Sequence, residues 1–288
     1  MSTVPSERLG CDLHLGKQPA RPLLAGTVSY GELRRPLVKA GLLPKIPAAF
    51  GHGNDFTGGR WLMLGNGPDD SVFPGFGGCG DCAWAGPAHA EMEAARNSGR
   101  PIPSFTGKTI VDQYGAYSGY DPQTGANDNG SDPQQVLQWR QEKGLLDDNG
   151  VAYKIGRYVA LQPGNLAELW EAAYLFENAG IGVVMTEAQM QQFDAQEPWE
   201  HVHGSPEVGG HWVEVMGRPD AAHGALISWG ERVRFGLPFY EQQNDEAFAY
   251  LDPERYNRVT GKTAEHFSEQ DLNEFLALVV QRKLAVAA

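Results

Sequence analysis

The chain has little cysteine: Cys11, Cys79 and Cys82 are the only three among its 288 residues. An odd, sparse set cannot build a closed disulfide framework in a chain this long, and a reducing compartment fits it best. Long apolar runs are missing too. Nowhere do about eighteen apolar residues follow one another, so no segment reads as a membrane span. The opening "MSTVPSERLGCDLHLG" has no basic stretch leading into an apolar one and does not read as a secretion signal. A cytoplasmic protein that does not enter membranes is expected. An excess of positive charge is also absent: 36 acidic against 23 basic residues leave a formal net charge of −13, with both signs scattered. That balance argues against a phosphate-binding face and makes nucleic acid an unexpected partner.

What is present suffices for a folded protein. The 41% hydrophobic content can bury a full core, as one large domain or as two packed lobes. Glycine and proline cluster in loops such as "FGHGNDFTGGR", "NGPDDSVFPGFGG" and "GYDPQTGANDNGSDP", and long shaped loops commonly surround a site. Residues 1–59 mix proline, glycine and basic side chains without a sustained period, and read as an N-terminal extension wrapped over a core.

From Cys82 the pattern turns helical, over "CAWAGPAHAEMEAARNSG", with Pro87 placed to kink the helix or delay its start. Further helices read over "KTIVDQYGAYSG", over "DPQQVLQWRQEKG" with Asp132 as cap, Pro133 at the first position and Gly144 as stop, and over "NLAELWEAAYLFENAG". After Gly180, "IGVVM", "HWVEVMG", "ALISWG" and "AFAYL" read as strands of a small sheet. Near the end "SEQDLNEFLALVVQRKL", with Ser268 and Asp271 in capping-box positions, predicts a closing helix within 266–285.

One stretch stands out for its chemistry: "GGCGDCAWAG", residues 77–86. A redox pair, Cys79 with Cys82, would need a buried strand leading into it, and the approach "SVFPGFGG" carries proline and glycine instead. A zinc site would need four ligands, and only the distant Cys11 and the "HVH" of His201 and His203 are on offer, so no metal is expected. A nucleophilic Cys82 at a helix N-terminus would need a histidine, and His211 in "GGHWVEVMG" opens an apolar strand from which it can enter a cleft. On the residues alone, His211 reads equally well as an ordinary half-buried histidine.

Taken together these stretches resemble the papain-like cysteine peptidases. That family's Cys-Gly-Ser-Cys-Trp-Ala-Phe run, which opens its central helix, is similar to "CGDCAWAG", and its Asn-Gly-Gly cleft turn with the helix after it is similar to "DNGSDPQQVLQWRQEKG". Its later helix, strand, catalytic histidine and Asn-Ser-Trp-Gly strand end have counterparts in "LWEAAYLFENAGIGVVM", "GGHWVEVMG" and "LISWGE", in the same order over roughly residues 60 to 255. The resemblance implies an α+β, two-lobe fold in a domain spanning 60–288, with a mainly helical lobe (60–150) packed on a small, mainly antiparallel β lobe (151–260). It implies a cysteine peptidase-like hydrolase or acyltransferase acting on peptide or amide bonds, with a peptide or protein substrate and no cofactor. Cys82 would be the nucleophile, His211 the proton carrier, Cys79 the upstream family cysteine, Gly130 and Ser131 part of the substrate cleft, and Trp229 a shield over the histidine. The chain also resembles an uncharacterised subgroup of that fold associated with phage and prophage regions, carrying "GDC-x-WAG", "GGH" and "[ST]WG".

The sequence departs from the family at two positions that matter. Where the family has the asparagine that orients its histidine, this chain has Ile227, which cannot accept a hydrogen bond. Ser228 is the remaining candidate, although it projects from the opposite face of a regular strand, and Glu214 alternates away from His211. Where the family has its oxyanion-hole glutamine, six residues before the nucleophile, this chain has Phe76. The subgroup that the chain resembles carries an Asn-bearing "LGN" there, which implies that Asn66 in "MLGN" supplies an amide beside the Cys82 N–H; on the residues alone Asn66 reads equally well as a turn residue. Cys79 has lost its family partner, which leaves a Cys79–Cys82 bond as an oxidative off-switch. Two rival expectations follow: a non-catalytic structural or binding protein of the same fold, such as a virion or assembly component, and a CxxC redox protein. Residues 1–59 lack the long helices of a papain-type propeptide and read as a permanent part of the fold.

Overall fold

The computed structural model describes residues 2–40, 43–51, 62–263, 267–268 and 270. The closing helix expected over 266–285 therefore lies almost wholly outside the described residues. The chain opens with a hairpin of β1 (Ser2–Ser6) and β2 (Cys11–Leu15), paired antiparallel from Ser2 opposite Leu15 to Ser6 opposite Cys11. β3 (Val28–Ser29) then runs directly into α1 (Tyr30–Ala40). The opening segment, read from the sequence as an extension wrapped over a core, thus carries regular elements. Its strands are too short to display a period, yet Leu13, Leu15, Tyr30 and Leu33 are at most 1% exposed and belong to the main core.

The helices that follow lie where their signals placed them. α2 (Cys82–Asn97) runs through Pro87 unbroken. α3 (Gly107–Ser118) is capped by Thr106, whose side chain accepts from the Thr109 N–H, and ends at Gly119 in the left-handed region. α4 (Pro133–Glu142) begins as read, with the Asp132 carboxylate accepting from the N–H groups of Gln134 and Gln135. A two-residue pair, β4 (Leu145–Leu146) with β5 (Ala152–Tyr153), follows.

The second half builds a sheet from β6 (Tyr158–Leu161), β7 (Ala179–Thr186), β8 (Glu207–Gly217), β9 (His223–Ser228), β10 (Glu231–Gly236) and β11 (Asn244–Tyr250). α5 (Leu166–Phe176), α6 (Glu187–Asp194) and α7 (Leu237–Gln243) connect its strands. With β3 it forms a seven-stranded sheet in the order β10-β9-β8-β7-β11-β6-β3, antiparallel except for the β3–β6 pair. This is larger than the small β lobe expected. β10 extends one edge by alternating exposed Arg232 and Arg234 with buried Val233 and Phe235, a polar-looking pattern with no apolar run to announce it.

Both faces of the sheet are covered. Trp212, Ile227 and Phe248 meet Trp84, Ile110 and Leu137 of the helices α2, α3 and α4 on one side. Val183, Val213 and Leu226 meet Trp170, Phe176 and Phe239 on the other. Strand alternation sends neighbours such as Trp212 and Val213 into different cores, and the sheet is the shared wall of the two halves. If the N-terminal hairpin belongs to the core, Leu13→Ala should lower stability by about 2–5 kcal/mol in denaturant unfolding. A loss within about 0.5 kcal/mol, the range of ordinary surface substitutions, would show the hairpin to be a dispensable covering.

Candidate active site

Cys82 is the first residue of α2, where free backbone donors and the helix dipole favour a thiolate. Here burial overrides them. The side chain is 1% exposed, and desolvation pushes the thiol up to about 12, although backbone hydrogen bonds from Trp212 and Gly16 pull the other way. The Trp212 N–H donates to Sγ at 3.4 Å.

His211 projects from β8 onto the opposite face of the strand from Trp212. Its ring lies on the Trp229 indole, with centroids 4.4 Å apart and planes 11° from parallel, and meets the edge of Trp199 at 6.5 Å. Nε2 is 2.8 Å from Ser228 Oγ, while Nδ1 is buried without a hydrogen-bond partner. When Nε2 carries the proton and donates to Ser228, Nδ1 keeps its lone pair. Burial pushes the imidazole down to about 3, so it rests neutral.

The alternation along β9 explains which residue reaches the ring. Ile227 packs into the core shared with Cys82 and Trp84, and Ser228 projects from the other face, the one on which His211 lies. Glu214 faces away from His211, accepting from Trp212 Nε1 at 3.0 Å and Tyr250 OH at 3.1 Å. Trp229 and Gly230, with φ of 45° and 72°, form the two-residue connection from β9 to β10. Left-handed φ at both positions is the primed-turn geometry that suits a hairpin, and for a tryptophan it costs about 1–3 kcal/mol. The indole is held there by the His211 stack, by an edge contact with Phe193 at 5.0 Å and by a hydrogen bond from Nε1 to His14 O at 3.3 Å.

Cys82, His211, Ser228, Trp229 and Asn66 line one cavity of about 10 Å³, room for no more than one water. Asn66 is buried there, with Nδ2 donating to Cys79 O at 3.1 Å. His89 lines the same cavity and was not foreseen. It follows Cys82 by two helical turns, so the helix period carried the signal. Its Nε2 is 2.8 Å from Leu62 O, and burial pushes the ring down to about 4. Cys79 is free and buried, its thiol held well above the usual range first by desolvation and then by Asp81 and Asp128. Gly130 and Ser131 stand to one side: the Gly130 N–H donates to Tyr114 OH at 2.8 Å, and Ser131 Oγ accepts from Trp84 Nε1 at 2.9 Å. Among the described residues no group of three or more His, Cys, Asp or Glu side chains is arranged to hold a metal ion.

A strap formed by residues 16–18 covers the thiol. It runs between Ser131 and Gly210: the Ser131 N–H donates to Gly16 O at 2.9 Å, the Gln18 N–H to Ser131 O at 3.0 Å, and the Lys17 N–H to Gly210 O at 3.0 Å. Gly16 passes so close that a Cβ there would sit 1.9 Å from Gly80 O. Nothing in the local sequence marks this segment, because its hydrogen-bond partners Ser131 and Gly210 lie more than a hundred residues away.

No family profile matches the chain, and no curated protein matches it in sequence. Its fold is similar to that of xylellain, a cysteine protease from Xylella fastidiosa, with a TM-score of 0.55 at 11% identity over 83% of this chain and 96% of that one. A procathepsin B from Trypanosoma congolense superposes with a TM-score of 0.49 at 11% identity, over 83% of this chain and 86% of that one. At such identity the likeness is one of fold, and the fold is papain-like.

Because the folded His211 ring is held near 3 against an ordinary 6.5, the unfolded chain takes up one proton more as pH falls below 6.5. Stability is then lost toward acid with a slope approaching about 1.4 kcal/mol per pH unit from this residue. His211→Gln should flatten the pH dependence of urea unfolding between about pH 6 and 4 by that amount. An unchanged slope would mean that the ring protonates in place.

Proposed function

We propose that the chain is a cysteine peptidase-like hydrolase or acyltransferase for peptide or amide bonds, with Cys82 as nucleophile and His211 as base, closed at rest by its own strap. The observation that carries this reading is the shared cavity, lined both by a thiol heading a helix and by an imidazole with Nε2 engaged by Ser228 and Nδ1 without a hydrogen-bond partner. His211 Nδ1 takes the thiol proton as Sγ attacks the carbonyl carbon. The oxyanion is met by the Cys82 N–H, one of the first donors of its helix, and by the Asn66 amide. The C–N bond then breaks, and the imidazolium returns its proton to the departing amine. Water, in a hydrolase, or a second amine, in an acyltransferase, attacks the thioester and releases the thiol. Ser228 acts as a positioning residue, Trp229 keeps water from the ring, and Gly130 and Ser131 lie along the substrate path. None of these steps calls for a cofactor, and a cytoplasmic setting would keep the three thiols reduced.

A second reading is favoured by the closure itself. A thiol at about 12 beside a cavity of about 10 Å³ suits a structural or binding protein, such as a virion or assembly component, that keeps the fold without the chemistry. The redox alternative is disfavoured, because burial raises both thiols of the CGDC stretch, the opposite of what thiol exchange requires.

Alkylation at about pH 8, with Cys11 as internal reference, separates the readings. Cys82 should react slowly in the native chain and at least about tenfold faster in Gly16→Val, where the strap cannot seat, since exposure and thiolate fraction set thiol reactivity. Adding His211→Ala should remove the gain, and Cys79→Ser should leave it intact. If Gly16→Val brings no acceleration, or one indifferent to His211, the enzymatic reading fails and the binding protein remains.

A further inference from the structure

The strap carries Lys17 and the chain just after it carries Arg21, and each of these basic side chains is met by acid. Lys17 Nζ, on a side chain 1% exposed, lies 2.8 Å from Asp245 Oδ2 and 3.2 Å from Glu246 Oε1, both on β11. Arg21 Nε lies 2.5 Å from Asp132 Oδ2 at the head of α4. The pocket is shaped to the lysine. A Cβ at Gly182 on β7 would stand 2.1 Å from Lys17 Cε and 2.8 Å from Glu246 Cγ, so only glycine leaves room for the aminoalkyl chain.

The strap's backbone is bound as an added strand would be, through Ser131 on one wall and Gly210 on the other. It is nevertheless not positioned for attack. Gly16 directs its N–H to Cys82 Sγ, and its carbonyl oxygen accepts from the Ser131 N–H. An occupant that fills the backbone sites and the side-chain pocket without offering a carbonyl to the sulfur behaves as a bound ligand.

We propose that the acidic pocket holding Lys17 is the side-chain recognition site of the cleft, that its ligand is an extended peptide bearing lysine or arginine, and that residues 16–21 are a tethered mimic of that peptide. The inference rests on the reading of this cleft as a peptide site, and it does not require Cys82 to be reactive. The physical selection is for charge. The buried Glu246, with the partly exposed Asp245 beside it, would lose on facing a neutral side chain the partner that offsets its desolvation, so an uncharged isostere is rejected.

Full-length Gly16→Val, titrated calorimetrically with acetyl-Leu-Gly-Lys-Gln-amide and with its norleucine counterpart, tests this directly. The lysine peptide should bind at least tenfold tighter than the norleucine peptide, Glu246→Gln in the same background should reduce that preference, and the native chain should bind neither. Equal binding of the two peptides, or binding of neither, overturns the proposal however Cys82 labels. Selective binding with an unreactive Cys82 leaves the pocket standing and removes the enzymatic reading alone. Should Gly16→Val fail to fold, Lys17→Ala replaces it: n-butylammonium should restore its unfolding midpoint or folded signal where n-butanol does not, and equal effects of the two overturn the pocket.

Discussion

The close approach of α2 to β8 is the contact on which the rest of the site depends. Cys82, Ala85, Gly86 and His89 present one face of the helix to the strand, and small residues let the backbones come near enough for the Trp212 N–H to reach the sulfur. A Cβ added at Gly86 would already stand 3.3 Å from the Trp212 ring. The same approach brings the head of a helix, with its free donors, beside a strand that carries an imidazole. It also explains why the thiol is so deeply buried, since a gap narrow enough for this contact excludes solvent, whereas the ring is buried by Trp229 and Trp199.

Burial then sets the electrostatics of the resting state. Desolvation disfavours charge on both groups, raising the thiol and lowering the imidazole, so each rests neutral. The strap adds a backbone hydrogen bond from Gly16 to the sulfur as it passes close over Gly80. Its own charge sits farther out, where Lys17 is matched by Asp245 and Glu246. Of the two, Glu246 is pushed up to about 7 by burial, with Lys17 opposing the rise. The neutral centre and the charged margin are therefore held by one segment of chain.

The legible parts of this protein were those whose signal is local. Asp132, Pro133 and Gly144 bracket α4 because capping is settled within a turn of helix, and the strand runs after Gly180 show their burial directly in sequence. Cys82 could be picked out because it opens a helix, and His211, which lies inside β8, because it follows a double glycine and begins the strand's buried run. Ser228 needed the strand's alternation, which showed that it leaves Ile227's face but not that His211 shares its destination. His89 was hidden within an alanine-rich helix, where a single histidine draws no attention until the cavity is seen. The strap was illegible for a different reason. Its meaning lies in backbone bonds to Ser131 and Gly210 and in ion pairs to β11, and "LGKQPAR" on its own looks like a solvated loop.

The left-handed backbone at Trp229 has a consequence for the imidazole. Had β9 continued as a regular strand, the indole would have alternated onto the face of Ile227 and left the ring bare. Turning back at that residue instead sets two consecutive side chains on one ring, Ser228 at its edge and Trp229 across its plane. A half-rotation of the ring would put Cε1 where Nε2 now meets the serine and Cδ2 where Nδ1 now lies, and it would have to break the edge contact and slide against the stacked indole to do so. That a ring nitrogen, and not a ring C–H, faces the serine is thus settled by folding, before any ligand arrives.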